Sequence, residues 1–127
     1  MPDLPAPLVP ESPPPCQLHI VHREAQRGWC LVEVAGEVDL STAPVLHAAL
    51  VELLVSHGYR RFVLDLSGVG HLDSTGMGVL TAFRQRLGSD GELKLASLQP
   101  NVLNVLTLTG LDRTFEIWRG THAPLPV

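Results

Sequence analysis

At 127 residues the chain has room for one ordinary domain, because a single core usually takes about 100–150 residues, and a two-domain enzyme is excluded. Nine Lys and Arg against 13 Asp and Glu leave a net charge of −4, which gives no basic footprint for a phosphate backbone and argues against direct nucleic-acid binding. With 45% hydrophobic and 17% charged residues there is apolar material for a core, yet no stretch approaches the roughly 20 apolar residues of a membrane helix.

Seven of the eleven prolines fall between Pro2 and Pro15, so residues 1–15 are expected to form a disordered proline-rich tail and the domain to span 16–118. Within the tail, Pro13-Pro14-Pro15 reads as a solvated linker or as a polyproline II ligand, the linker being preferred. The start has neither the basic stretch nor the apolar run of an export signal. Cys16 and Cys30 are too far apart for a Cys-x-x-Cys pair. Both observations predict a reduced, cytoplasmic setting.

Two β-rich runs, Gln17 to His22 and Trp29 to Ala35, predict an antiparallel start, with Gly36 closing the second strand. Ser41 or Thr42 is placed to cap a first helix, and Pro44 suits its first turn. Leu46, Ala49, Leu50, Leu53 and Leu54 recur at helical spacing and predict one buried stripe before Gly58. Arg61 to Leu66 reads as a central strand bounded by Gly68 and Gly70. Asp73 is the expected N-cap of a second helix, with Met77, Leu80, Phe83 and Leu87 inward and Gly88 as its stop. Glu92 to Leu98 predicts a further strand. Pro100 opens a third helix with Leu103 and Leu106 inward, Gly110 ends it, and Phe115 to Trp118 is the last strand. Strands separated by helices need crossover connections. The expected fold is therefore α/β: a mixed, mostly parallel sheet of about five strands with three main helices. Residues 119–127 contain Gly120, Pro124 and Pro126, show no helical period, and are expected to be a second tail.

The segment His71-Leu72-Asp73-Ser74-Thr75-Gly76-Met77-Gly78 departs from ordinary core-building, since two hydroxyls and two glycines meet at a strand-to-helix turn. Ser74 and Thr75 would lie in the first helical turn, where the positive end of the helix tolerates an added phosphate. A phosphoserine would add about −1.5 to −2 charges beside Asp73 and act on a docked partner without unfolding the domain. Asp73, Ser74 and Thr75 are also ordinary helix-start residues, and Gly76 and Gly78 fit close internal packing as well as close approach by a partner. Leu72 stands where a Gly-x-Ser-x-Gly nucleophile elbow needs glycine, and Thr75 separates Ser74 from Gly76, so neither a serine hydrolase nor an aspartic protease is predicted. No histidine pair has metal-ligand spacing within a helix, and no lysine follows Gly68 or Gly70 to make a phosphate loop. No metal and no cofactor are expected. Glu37 and Asp39 precede a helix start, where carboxylates are favoured on structural grounds alone.

Taken together, Gly36-Glu37-Val38-Asp39, Phe62-Val63-Leu64-Asp65-Leu66, Asp73-Ser74-Thr75-Gly76-Met77-Gly78-Val79-Leu80 and the closing Leu108-Thr109-Gly110-Leu111 to Phe115-Glu116-Ile117 resemble the anti-sigma factor antagonists of the STAS domain family. The resemblance covers roughly residues 17–118 in one register. It implies a single STAS-like domain in a bacterial regulator that binds an anti-sigma factor serine kinase and releases a sigma factor. It places the phosphorylated serine on Ser74, beside the motif acid Asp73. A PP2C-like phosphatase would restore the binding form, and this chain would catalyse neither step. Asp39, Ser41 and Thr42 are expected to join Asp73, Ser74, Thr75 and Met77 in the partner surface, because both helix starts follow parallel-type strands at one sheet edge. Family members often carry a further C-terminal helix, which residues 119–127 do not predict. The competing readings are a STAS scaffold or subunit of a larger sensory or transport complex, and a module binding an anionic ligand at the helix start, both without Ser74 phosphorylation. Val45, Val51 and Val55 leave a monomer or weak dimer open.

Overall fold

The computed structural model describes residues 18–118; the tails expected over 1–15 and 119–127, and Cys16, lie outside the described residues. The sheet has five strands in sequential order: β1 (His19–Glu24), β2 (Cys30–Val38), β3 (Arg61–Leu72), β4 (Glu92–Ala96) and β5 (Glu116–Trp118). β1 and β2 pair antiparallel, from His19 opposite Ala35 to Glu24 opposite Cys30, and every later pairing is parallel. Three helices, α1 (Ala43–Val55), α2 (Ser74–Leu87) and α3 (Pro100–Thr109), connect the parallel strands. The expected mixed α/β architecture is the observed one.

Strand alternation explains how the core divides. Cys30, Val32 and Val34 of β2, Phe62 and Leu64 of β3, and Leu93 and Leu95 of β4 point to one face, where they meet Leu46, Leu50, Leu53 and Leu54 of α1, Leu80, Phe83 and Leu87 of α2, and Val102 and Leu106 of α3. Each fully buried leucine there contributes about 1.5–3 kcal/mol relative to exposure. The intervening residues Leu31, Val63 and Ala96 point to the other face, where they cluster with Trp29.

Five expectations are corrected. β2 continues through Gly36 to Val38, and β3 continues through Gly68 and Gly70 to Leu72. These glycines mark irregularities within strands, not their ends. Between Asp65 and Gly68, β3 has two residues opposite the single Val34 of β2. A Cβ on Gly68 would stand 2.8 Å from the Ala35 Cβ, so only glycine lets the strands close again. The carboxylate of Asp65 accepts from Ser67 N at 2.8 Å and satisfies the displaced backbone. β1 starts at His19 and reaches Glu24, two residues beyond the expected His22. β4 ends at Ala96 instead of Leu98 because Ser97 adopts a φ of 61°. Leu103 is exposed and Val102 takes the inward place beside Leu106. The start of α3 is tied to β3 by two bonds, Gln99 Nε2 donating to Ser67 O at 2.9 Å and Asn101 Nδ2 to Gly70 O at 2.6 Å. Past Asp65, β3 no longer pairs with β4, and these side chains satisfy carbonyls along that open edge.

Candidate functional site at two helix starts

The parallel strands β2 and β3 end side by side, with Val38 in register with Leu72. Asp73 N donates to Val38 O at 3.1 Å, which ties the turn entering α2 to the turn entering α1. The two turns that carry the expected site residues thereby lie at the same end of the sheet.

In the first turn the Asp39 carboxylate accepts from Ser41 N at 2.9 Å, Ser41 Oγ at 2.7 Å and Thr42 N at 3.2 Å. These donors, the Ser41 hydroxyl foremost, hold the Asp39 carboxyl below the ordinary aspartate range. Thr42 occupies the N-cap position of α1, but its side chain makes no cap bond to the helix, contrary to the sequence expectation for Ser41 or Thr42. Its hydroxyl instead accepts from Asp39 N at 3.0 Å and donates to Glu37 O at 2.6 Å. The Asp39 carboxylate, three residues before Thr42, holds the turn that precedes the helix, while the Asp39 carbonyl accepts from Ala43 N at 2.8 Å. Thr42 is buried and holds the turn from inside, while Ser41 is exposed.

In the second turn Asp73 is the N-cap in extended conformation, and its Oδ1 accepts from Gly76 N at 3.0 Å. Ser74 is the first residue of α2 and is exposed; Thr75 is half-buried. Gly76 is buried against the strand ends: a Cβ there would lie 2.5 Å from Leu72 Cδ1 and 2.6 Å from Val38 Cγ1. Internal packing therefore explains Gly76. A Cβ on Gly78 would meet nothing within 4 Å, so packing does not explain the second glycine. Met77 is half-buried, packs on the core, and has its Sδ 3.7 Å from the Thr109 hydroxyl of α3. The Val38 carbonyl and the Glu37 carbonyl, which fix the two turns, were not legible from side-chain types.

The rest of the described chain offers little competing chemistry. No three His, Cys, Asp or Glu side chains among the described residues are grouped to hold a metal ion. Cys30 is buried, and that burial, with the Glu24 charge, pushes its thiol up to about 11. No helix among the described residues is long and apolar enough to cross a membrane.

The STAS domain model matches residues 21–123 of the sequence. The chain belongs to the STAS domain family. This STAS domain is 31% identical over 98 residues to the anti-sigma-F factor antagonist RsfB of Mycobacterium tuberculosis, covering 77% of the chain and 80% of that relative. It is 36% identical over 87 residues to the anti-sigma-B factor antagonist of Bacillus subtilis, covering 68% and 78%. Its fold is similar to the crystal structure of an anti-sigma factor antagonist from Mycobacterium paratuberculosis, with a TM-score of 0.77 at 30% identity over 86% of this chain and 92% of that one. In this STAS domain the Asp73-Ser74 turn sits at the C-terminal end of the central strand, where the parallel strands hand over to helices, the usual side for binding residues in open α/β folds.

Proposed function

We propose that the chain is a cytoplasmic anti-sigma factor antagonist. It binds an anti-sigma factor that is itself a serine kinase, so releasing a sigma factor, and phosphorylation of Ser74 ends the complex. The observation that carries this reading is the exposed Ser74 at the first position of α2, directly after the N-cap Asp73. The names of the relatives support the regulatory role.

The geometry supports a switch that leaves the fold in place. In the transfer, Ser74 Oγ forms a bond to the γ-phosphorus of ATP, the bond to the ADP oxygen breaks, and the hydroxyl proton passes to a base on the kinase. This chain contributes only the hydroxyl. The product phosphate lies at the N-terminus of α2, whose unpaired N–H groups and dipole favour it. For a docked partner the same phosphate adds about −1.5 to −2 charges beside the Asp73 carboxylate. A PP2C-like phosphatase returns the hydroxyl by hydrolysis. Asp39, Ser41, Thr75 and Met77 form the surrounding contact surface, and Thr42 shapes it from inside.

The test is intact-mass measurement of wild type and Ser74→Ala after incubation with ATP and each anti-sigma factor kinase of the source genome, with affinity capture alongside. A phosphate-sized gain in wild type only, with both proteins captured before ATP is added, supports the reading. Stable capture with no gain for any kinase overturns the switch and favours a STAS scaffold.

A further inference from the structure

Between α1 and α2 lies an open groove of about 820 Å3 that the two helix starts do not account for. One wall carries Leu40, Val51 and Val55, and the other carries Thr75, Val79 and Arg86. Leu40 is 75% exposed and Val55 is 63% exposed, so large aliphatic side chains face water at both ends of the groove. Large side chains left in water on the rim of one apolar groove mark a surface that another molecule covers.

Three observations define the occupant. First, the wall formed by α1 is 13 residues long, about 20 Å at 1.5 Å per residue, which suits a partner helix of three to four turns better than a compact ligand. Second, Glu52 on the α1 wall and Arg86 on the α2 wall face the groove with opposite signs, and neither pairs with a charged side chain among the described residues. A helix with a basic residue on one flank and an acidic residue on the other would be oriented by them. Third, the groove opens beside Ser74 through Thr75, so whatever fills it meets the start of α2.

We propose that the α1–α2 groove receives an amphipathic helix of the anti-sigma factor, with aliphatic anchors at i, i+3 or i+4 and i+7 between a basic and an acidic flank. The proposal rests on the reading of Ser74 given above and adds to it where the partner is held. A phosphate on Ser74 then stands at one mouth of the groove and acts on the docked helix directly.

The test compares wild type, Val55→Glu and Arg86→Glu for affinity to the anti-sigma factor kinase and for the rate of Ser74 phosphorylation at subsaturating kinase. Both changes are at exposed positions, and circular dichroism with urea titration verifies the fold. The expected result is an affinity loss of about tenfold for each variant with a parallel loss in rate, and a photo-crosslinker at position 55 that joins to a helix of the kinase. Unchanged affinity in both variants, with Ser74 still phosphorylated, overturns the groove while leaving the switch in place. Wild type that is neither captured nor phosphorylated removes the switch and the groove together. A wild-type dimer that Val55→Glu dissociates, with affinity for the kinase unaltered, makes the groove a self-association surface and also overturns the proposal.

Discussion

The turns entering α1 and α2 begin from similar residues, Asp39-Leu40-Ser41-Thr42 and Asp73-Ser74-Thr75-Gly76, and reach different chemistry. In the first, a hydroxyl two residues after the acid folds back on the carboxylate, and Ser41 Oγ donates to Asp39 at 2.7 Å. In the second, the hydroxyl follows the acid directly, the carboxylate reaches past it to Gly76 N at 3.0 Å, and Ser74 stays exposed. A shift of one residue separates an exposed hydroxyl bonded to its own turn from an exposed hydroxyl at the first position of a helix. The buried Thr42 in the first turn and the buried Gly76 in the second show the same division of labour by other means. A hydroxyl bridges backbone groups in one, and an absent side chain lets helix and strands close in the other.

The largest expected contrast between the turns is chemical. Ser74→Ala should abolish phosphate uptake completely, and Ser41→Ala should leave it intact, as read by intact mass after incubation with kinase and ATP. Phosphate on Ser41 in the Ser74→Ala protein would erase the distinction between the turns. The next effect is on stability. Thr42→Val keeps the side-chain shape but strips Asp39 N and Glu37 O of their hydroxyl partner, which should cost about 1–3 kcal/mol by urea denaturation.

The two glycines of α2 should respond with opposite signs. Gly76→Ala forces a Cβ against Leu72 and the β-branched Val38 and should destabilise by about 1–3 kcal/mol. Gly78→Ala meets open space in a helix and should stabilise by about 0.4–1 kcal/mol. Urea midpoints of the two variants check both, and equal shifts would mean that packing does not separate them. The smallest effect concerns pH. The folded pKa of Asp39 lies below its unfolded value, so its contribution to stability is present above the unfolded value and is lost as pH falls through the folded one. Asp39→Asn should therefore flatten the acid-side loss of stability below the ordinary aspartate range, measured as urea midpoint against pH.

Much of this arrangement was legible in residue order. The leucine spacing of α1, the Asp73 cap, the glycine stops at Gly88 and Gly110 and the exposed Ser74 all follow from contacts within about four residues, which sequence spacing specifies directly. The side-chain cap expected at α1 from Ser41 or Thr42 is not made, because the Ser41 hydroxyl bonds Asp39 and the Thr42 hydroxyl bridges Asp39 N and Glu37 O, choices that only the turn geometry sets.

What the sequence alone determined was the set of elements, their order, the α/β class and the serine that begins α2, because periodicity, capping and chain connectivity are local properties. Tertiary structure decided what each glycine is for, since that depends on what approaches from a distant strand: Ala35 against Gly68, Val38 and Leu72 against Gly76, and nothing against Gly78. It also decided that Val102 and not Leu103 turns inward, on a helix whose start is tied to β3 by Gln99 and Asn101. The same holds for the groove, which Leu40 and Val55 line together with Val79 and Arg86 only because α1 and α2 pack side by side on one face of the sheet.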